Sequence, residues 1–365
     1  MEITDPSNNS PSERALVSIV VPVFEGESYL RESLESILAQ THRTLEVIVM
    51  DDASSDSSAA IAAELAERDA RVRLQIQTAN VGQFANVNAG LALARGEFVG
   101  VYHADDVYDP AIVAREVAYL RAHPDAAAVF TLVVFIDADG NEFGRLDRIP
   151  PEIASAELLD YPLVLNAVLR HTSSFLPTPS ALVRRKVYEE VGPFRLDYGL
   201  RGDLDMWLRI ARSHPLGLIR EQLMRYRVGT HNESRRYAYL RTEPDLLFKL
   251  LDERLADGDM SLVEAGALAP YEAFRASDLV VAACNAYVLG ERRQLQALLG
   301  HVHASRLLQG RNVQRWRLLA LLAALHVLAR LPQSATIANL VRSRWHAAPT
   351  AKQPQTDALQ RVPSE

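Results

Sequence analysis

Short apolar runs alternate with amphipathic segments along the first two thirds of the chain. Residues 15–23 form an apolar, β-branched run that contains Pro22, which is typical of a buried strand. Ser28 can cap a following helix in which Leu30 and Leu34 share one face. The same alternation predicts strands at 45–50, near 72–77 and in the stretch from Gly96 that ends in Asp105-Asp106, and helices at 57–68, from the turn at 80–82 to about 95, and near 110–123.

Strands that alternate with helices predict an α/β fold with a mostly parallel, doubly wound sheet and helices on both faces. Ligands of such sheets bind beyond the carboxyl ends of the strands. Phe24, Asp52 and the pair Asp105-Asp106 each follow a predicted strand directly. The pair alone could be a solvated turn with helix-capping aspartates. The expected convergence of all these residues in one crevice favours a binding site.

The pattern changes beyond the fourth strand. An apolar run at 126–136 ends in a turn at 137–141, and an extended piece at 177–183 precedes a short helix at 185–191. Asp203 opens another helix, where it could be an N-cap or a functional carboxylate. A last strand is predicted at 216–228.

A helical region is predicted to follow. Residues 292–356 contain no acidic side chain, and Leu318 to Leu331 is nearly all apolar. This segment matches a basic amphipathic element at an anionic membrane surface, or equally a helical bundle whose leucine face is core or dimer contact. The expected organisation is a leader at 1–14 and a tail at 349–365, both disordered, around an α/β domain at 15–241 and an all-helical region at 242–348.

Composition and missing motifs narrow the function. The net charge of -7 argues against a nucleic-acid-binding protein, and the single cysteine, Cys284, fits a reducing compartment. The polar first residues lack a secretory pattern, so we expect a cytoplasmic protein, with peripheral membrane contact as a further possibility. No G-x-G-x-x-G follows the first strand and no P-loop sequence occurs, which disfavours dinucleotide oxidoreductases and P-loop NTPases.

An ordered set of motifs between Leu16 and Ser234 resembles the inverting family 2 glycosyltransferases, which have the GT-A fold. Each fragment is weak alone, but their order is specific. The segments that carry the resemblance are Val17 to Phe24, Ser36 to Thr41, Leu45 to Ser54, Asn80 to Gly82, Asn88 to Gly90, Ala94 to Phe98, the stretch ending in Asp105-Asp106, Gly192 to Phe194, and Gly202 to Arg209.

The resemblance implies a role for each candidate residue. Phe24 would stack on the nucleotide base and Asp52 would hydrogen-bond its edge, with Pro22, Glu25 and Asp105 completing the nucleotide-sugar site. The other roles it implies are a Mn²⁺ or Mg²⁺ site at Asp105 and Asp106, a less certain metal-side role for His231, and a general base at Asp203. Oxygen ligands suit these hard cations, and a carboxylate can accept the proton of an attacking hydroxyl.

Two positions depart from the family pattern. His103 stands where the metal motif often has aspartate, and Gly202 precedes Asp203 where an acidic residue is common. The leading hypothesis is transfer of a sugar from a nucleotide-diphosphate donor to a saccharide or lipid-linked acceptor in cell-surface polysaccharide or glycolipid biosynthesis. The alternative is a catalytically idle nucleotide-sugar-binding scaffold. A nucleotidyltransferase ranks last, because Glu25-Gly26-Glu27 is acidic where a basic phosphate loop is needed.

Overall fold

The structure, a computed structural model, describes residues 15–146, 149–171, 175–229, 240–309 and 314–345. These residues form two compact units. The first contains residues up to 164 and from 175 to 228, and the second contains residues 165–171 and those from 229 onward. The candidate residue His231 lies outside the described residues, so its predicted role stays a prediction.

One sheet of nine strands forms the centre of the first unit. Its strands follow the order β3-β2-β1-β4-β8-β6-β9-β5, with β7 paired to β6. Their bounds are β1 (Val17–Val23), β2 (Leu45–Asp51), β3 (Val72–Ile76), β4 (Phe98–Val101), β5 (Val107–Tyr108), β6 (Ala128–Ile136), β7 (Glu142–Arg145), β8 (Leu182–Arg184) and β9 (Leu216–Arg227).

The sheet is mixed, and its parallel part carries the candidate site. Strands β3, β2, β1 and β4 run parallel, as the alternating pattern predicts. Strands β5, β7 and β8 add antiparallel pairings, while β6 and β9 pair in parallel. The α/β class with helices on both faces is confirmed, but the sheet is less uniformly parallel than the sequence suggested. Because β2, β1 and β4 are parallel neighbours, the residues that follow them lie at one edge.

Helices cover the sheet through small or apolar contacts. Leu30, Leu34 and Ile37 on the first helix are fully buried, as the predicted apolar face requires. On the third helix, a Cβ added at Gly90 would lie 2.4 Å from Cγ1 of Val20. Only glycine therefore allows that helix to pack this closely on the sheet.

The helices of the chain begin and end close to the predicted positions where the periodicity is clear. Two helices between 151 and 171 have no counterpart in the predicted elements. The helices are α1 (Leu30–Leu38), α2 (Ser58–Arg68), α3 (Gln83–Leu93), α4 (Ile112–Ala122), α5 (Pro151–Ser155), α6 (Tyr161–His171), α7 (Arg185–Val191), α8 (Gly202–Ser213), α9 (Leu246–Ala256), α10 (Leu268–Leu289), α11 (Arg292–His301), α12 (Ala304–Gln309), α13 (Gln314–Leu328) and α14 (Ala335–Trp345).

Helix α10 lies at the centre of the second unit. It buries Val280, Ala283 and Cys284 against the helices that follow it, including Leu325 of α13. The described part of this unit beyond residue 240 contains no strand, which confirms the predicted helical region. Among the described helices of the chain, none combines the length and apolar character that a membrane span requires.

Candidate active site

Two loops at the carboxyl edge of the sheet are tied to each other. Phe24 follows β1 and is 51% exposed. Glu25, with φ of +53°, donates its amide to Oγ of Ser54 over 3.1 Å. Its carboxylate accepts hydrogen bonds from the amide and hydroxyl of Ser55, at 2.8 and 2.9 Å. Glu25 therefore joins the loops after β1 and β2 and leaves the Phe24 ring accessible. Pro22 lies within β1, opposite Met50 of β2.

Asp52 follows β2 and holds the turn that leads into α3. It is 3% exposed, and its two carboxylate oxygens accept the amides of Val81 (2.8 Å) and Gly82 (2.9 Å). Gly82 has φ of +88°, in the region that favours glycine. Each oxygen keeps acceptor capacity beyond these bonds. The contacts place Asp52 at the expected edge and show that it also organises the turn.

Three side chains cluster beyond β4. His103, Asp105 and Asp106 each bring one ligand atom within 4.8 Å of the others. Asp106 is 1% exposed; its Oδ1 accepts the amide of Arg227 over 2.8 Å, while its buried Oδ2 has no hydrogen-bond partner. His103 Nδ1 lies 3.6 Å from that Oδ2. A buried oxygen without a donor is costly, and a divalent cation would satisfy it, so the residues present fit a metal.

The electrostatics of this cluster favour an added positive charge. Burial, helped by the neighbouring charge of Asp105, raises the pKa of Asp106 well above its usual range, while Arg227 opposes that shift. Burial also lowers the pKa of His103, against the charges of Asp105 and Asp203. Two carboxylates this close bind a proton or a cation more readily than they stay doubly charged.

Hydrogen bonds to Tyr108 and Ser33 fix the backbone of His103 in the cluster, and a second tyrosine packs behind Tyr108. The amide of His103 donates to the Tyr108 hydroxyl over 2.7 Å, and its carbonyl accepts from Oγ of Ser33 over 2.9 Å. The Tyr108 ring stacks on Tyr102 at 4.0 Å, and the Tyr102 hydroxyl donates to the buried Glu116 over 3.0 Å. Burial raises the pKa of both Tyr102 and Glu116.

Arg227 is a functional-site residue that the sequence did not reveal. It is 2% exposed, and its Nε donates to the carbonyl of Asp105 over 2.8 Å. Its guanidinium also pairs with Glu32 at 2.6 Å and lies over the Tyr29 ring at 4.4 Å. A buried arginine at the end of a strand has no local sequence signal, because its partners are about a hundred or more residues away.

Asp203 lies in the first turn of α8 and is not its N-cap, a position that Arg201 occupies. Its Oδ1 accepts the Leu204 amide at 2.6 Å, and its Oδ2 accepts the Thr178 hydroxyl at 3.0 Å. Thr178 in turn accepts Nε1–H of Trp207 at 3.1 Å. Burial raises the pKa of Asp203, and the Leu204 amide, Arg201, Thr178 and His103 moderate the shift.

Close packing explains why glycine stands before Asp203. A Cβ at Gly202 would lie 2.8 Å from Cε2 of Phe84 and 3.0 Å from the carbonyl of Arg195. Contacts this short require the surrounding ring or backbone to move. Close packing at the start of α8 therefore disfavours any larger residue at this position, an acidic one included.

Several candidate residues share one electrostatic environment. His103 and Asp203 each influence the pKa of the other. Burial raises the pKa of Tyr226, and the charges of Asp106, Asp105 and Asp203 add to that shift. The cluster beyond β4, Asp203 and Tyr226 are therefore close enough in space for their charges to act on one another. Sequence reasoning missed the roles of Thr178 and Tyr226. Thr178 begins a short 3-10 helix, Thr178–Ser180, where an extended piece was predicted, and Tyr226 lies in β9 without a motif.

Comparisons with known proteins agree with this geometry. Residues 18–192 match the family model described as glycosyl transferase family 2. An uncharacterized glycosyltransferase, MJ1057 of Methanocaldococcus jannaschii, is 28% identical over 59% of this chain and 72% of its own length. The O-antigen biosynthesis protein RfbC of Myxococcus xanthus is 32% identical over 67% of this chain but only 18% of its own length.

A solved structure supports the fold. The structure of S. aureus TarS 1-349 in complex with UDP-GlcNAc aligns with a TM-score of 0.57 at 18% identity, and the alignment covers 91% of this chain and 92% of that one. At this identity the likeness establishes the architecture alone.

Proposed function

Because this chain belongs to glycosyl transferase family 2 and has the GT-A fold, we propose that it is an inverting glycosyltransferase. It moves a sugar from a nucleotide-diphosphate donor to a hydroxyl of a saccharide or lipid-linked acceptor. The observation that carries this proposal is the proximity of two groups whose charges act on each other: the cluster of His103, Asp105 and Asp106, and the half-buried carboxylate of Asp203.

The donor site is proposed at the carboxyl ends of β1, β2 and β4. The exposed Phe24 ring offers a stacking surface for the base, and Asp52 has acceptor capacity left for its edge. Pro22 and Glu25 shape the loop after β1 that carries Phe24, and Asp105 would face the ribose or phosphates. The UDP-GlcNAc named for the TarS structure is a reasonable first donor to test.

Mn²⁺ or Mg²⁺ would bind at Asp105 and Asp106, with His231 near the metal and the diphosphate. A bound divalent cation supplies positive charge for the diphosphate leaving group. Arg227 holds both aspartates in place, through its amide on Asp106 and its guanidinium on the Asp105 carbonyl.

The transfer itself uses Asp203 as general base. Asp203 accepts the proton of the acceptor hydroxyl as that oxygen attacks the anomeric carbon, and the bond from that carbon to the diphosphate oxygen breaks. A single displacement inverts the anomeric configuration. Burial raises the pKa of Asp203 and so strengthens it as a base, and the Thr178 hydroxyl fixes its Oδ2. An idle scaffold would have no need for this supported carboxylate.

A role in surface polysaccharide or glycolipid assembly is the biological context that we propose. The O-antigen relative supports it only over the matched part of its length. The test of the function is a donor screen: UDP-, GDP- and dTDP-sugars are added with Mn²⁺, and thermal stabilisation and release of nucleoside diphosphate are measured. We expect sugars of one nucleotide class both to raise the unfolding temperature and to release their nucleoside diphosphate. A protein that is stabilised by a donor but never releases its diphosphate with any acceptor would support the idle scaffold.

We also propose that α13 contacts an anionic membrane surface. Trp316, Val327 and Leu331 are exposed, at 61%, 56% and 49%, while Leu322 and Leu325 are buried in the helical core. Trp316 and Val327 lie eleven positions apart on α13, about three helical turns, and Leu331 follows the end of that helix. No acidic residue lies between 292 and 356. Apolar side chains flanked by arginines suit an anionic lipid headgroup layer. An oligomer contact is the alternative occupant of this face.

A further inference from the structure

His103 is the one imidazole in the described cluster of candidate metal ligands. Its Nδ1 is 3.6 Å from Oδ2 of Asp106, which is too long for a hydrogen bond. The distance is short enough for both atoms to reach one cation through bonds of about 2.0–2.3 Å. The two atoms therefore face each other across a gap that a single cation would fill.

One side of this gap is an oxygen of Asp106 that has no hydrogen-bond donor. Oδ2 is buried and accepts no hydrogen bond, whereas Oδ1 of the same carboxylate is bonded to the Arg227 amide. If His103 served only as a hydrogen-bond donor to Asp106, Oδ2 would have a partner at ordinary distance. The observed separation instead leaves Nδ1 of His103 and Oδ2 of Asp106 both available to bind one cation.

The backbone of His103 is fixed while its ring is free to bind. Its amide and carbonyl are bonded to Tyr108 and Ser33. These bonds fix the point at which the imidazole leaves the main chain, one precondition for a ligand that must stay in place.

Ligand chemistry then determines which cation the site prefers. Carboxylate and water ligands suit Mg²⁺, Ca²⁺ and Mn²⁺, whereas imidazole favours later first-row transition metals. Two carboxylates with one imidazole combine these preferences. We propose that His103 is a ligand of the cation site and that it makes the site select Mn²⁺ and Co²⁺ over Mg²⁺. This inference rests on the proposed function only in taking the cluster to be its metal site.

The test measures metal binding by the full-length protein without any sugar donor. Isothermal titration with Mn²⁺, Co²⁺ and Mg²⁺ compares the wild-type protein with His103→Asp. We expect the ratio of Mn²⁺ affinity to Mg²⁺ affinity to be smaller in the variant than in the wild-type protein, by about tenfold or more. Replacing groups around a metal site changes metal affinity on this scale. Thermal unfolding confirms that the variant is folded.

A spectroscopic readout identifies the ligand directly. Electron spin-echo modulation of bound Mn²⁺ reports a coordinated ¹⁴N, which we expect in the wild-type protein and not in His103→Asp. The matched control is His214→Gln, which removes a surface imidazole that pairs with Glu190 and should retain the signal. His231→Gln tests separately whether that imidazole supplies the nitrogen in place of His103.

The outcomes separate the two proposals. If His103→Asp keeps both the wild-type metal preference and the ¹⁴N signal, the inference is wrong and the metal site stands. Loss of the signal in His231→Gln alone would also overturn it. If the wild-type protein binds no divalent cation, the metal part of the proposed function fails together with the inference.

Discussion

The hydroxyl of Thr178 donates a hydrogen bond to Oδ2 of Asp203 over 3.0 Å, and it does so because Trp207 fixes its direction. The indole N–H can only donate, so Oγ1 of Thr178 accepts from it and turns its own hydrogen toward the carboxylate. The residue that we propose as the general base is therefore oriented by a relay of two buried side chains.

Replacing Thr178 by valine tests this relay through the pH dependence of transfer. The hydrogen bond from Thr178 lowers the pKa of Asp203, opposing the effect of burial. Its loss should raise that pKa further, so that the base is protonated at higher pH and the acidic limb of kcat/KM moves to higher pH. We also expect kcat to fall by about tenfold, since a buried hydrogen bond to a charged group is worth about 1.5–3 kcal/mol.

Thr178→Ser is the matched control, because it keeps the hydroxyl and removes one methyl group. It should retain the wild-type pH profile. A valine variant with an unchanged acidic limb would show that Thr178 is structural only.

Gly202→Ala tests the close packing at the start of α8. The new Cβ would meet Phe84 at 2.8 Å and the Arg195 carbonyl at 3.0 Å. Overpacking of this kind costs about 1–3 kcal/mol, measured as the free energy of unfolding. Gly300→Ala in α11 is the control: nothing lies within 4 Å of the added Cβ, so the better helix former should be neutral or stabilising. Equal effects of the two substitutions would contradict the packing account.

Glu46→Gln tests a buried ion pair away from the site. Glu46 is bonded to Ser18, Arg73 and Arg95. Burial acts to raise the pKa of Glu46, but these partners together lower it. Its contribution to stability is therefore full above the unfolded-state pKa and is lost as pH falls through the lower folded-state value. We expect the variant to lose about 1.5–3 kcal/mol at pH 7, the range for hydrogen bonds to a charged group, because Arg73 and Arg95 are partly exposed.

The difference between wild-type protein and Glu46→Gln should shrink as pH falls below 5, measured by denaturant unfolding at each pH. Glu64→Gln, which breaks an exposed pair with Arg31, is the control and should change stability little. A pH-independent difference would mean that the charge of Glu46 plays no part.

The early strands and the positions of the candidate carboxylates could be predicted from sequence, because Phe24 and Asp52 follow β1 and β2 directly and Asp105 lies four positions past the end of β4. Apolar periodicity is local and survives without tertiary information. Helices α5 and α6 were missed, and β5, of two residues, is too short to leave a pattern. The support of the site is non-local: Arg227 is bonded to Asp106 across 121 positions. No local signal encodes such a pair.

The membrane proposal predicts that Trp316→Ser weakens binding to vesicles. The full-length protein should sediment with vesicles that contain phosphatidylserine, and the variant should do so several-fold less well, because it removes the largest exposed apolar side chain of α13. Binding of the wild-type protein should also fall at high salt. Vesicle binding that is unchanged in the variant, or absent in the wild-type protein, would contradict the proposal. If the wild-type protein forms a concentration-dependent oligomer that dissociates in the variant, the exposed face of α13 is an oligomer contact.

The central claim is that Asp203 acts as general base beside the cation cluster. It is tested most directly by measuring donor affinity and single-turnover sugar transfer in Asp203→Asn, with the surface variant Asp125→Asn as control. We expect donor affinity to be nearly unchanged in both variants and transfer to fall by about 10²–10⁴-fold in Asp203→Asn alone. Transfer at the wild-type rate by a folded, donor-binding Asp203→Asn protein would contradict the account.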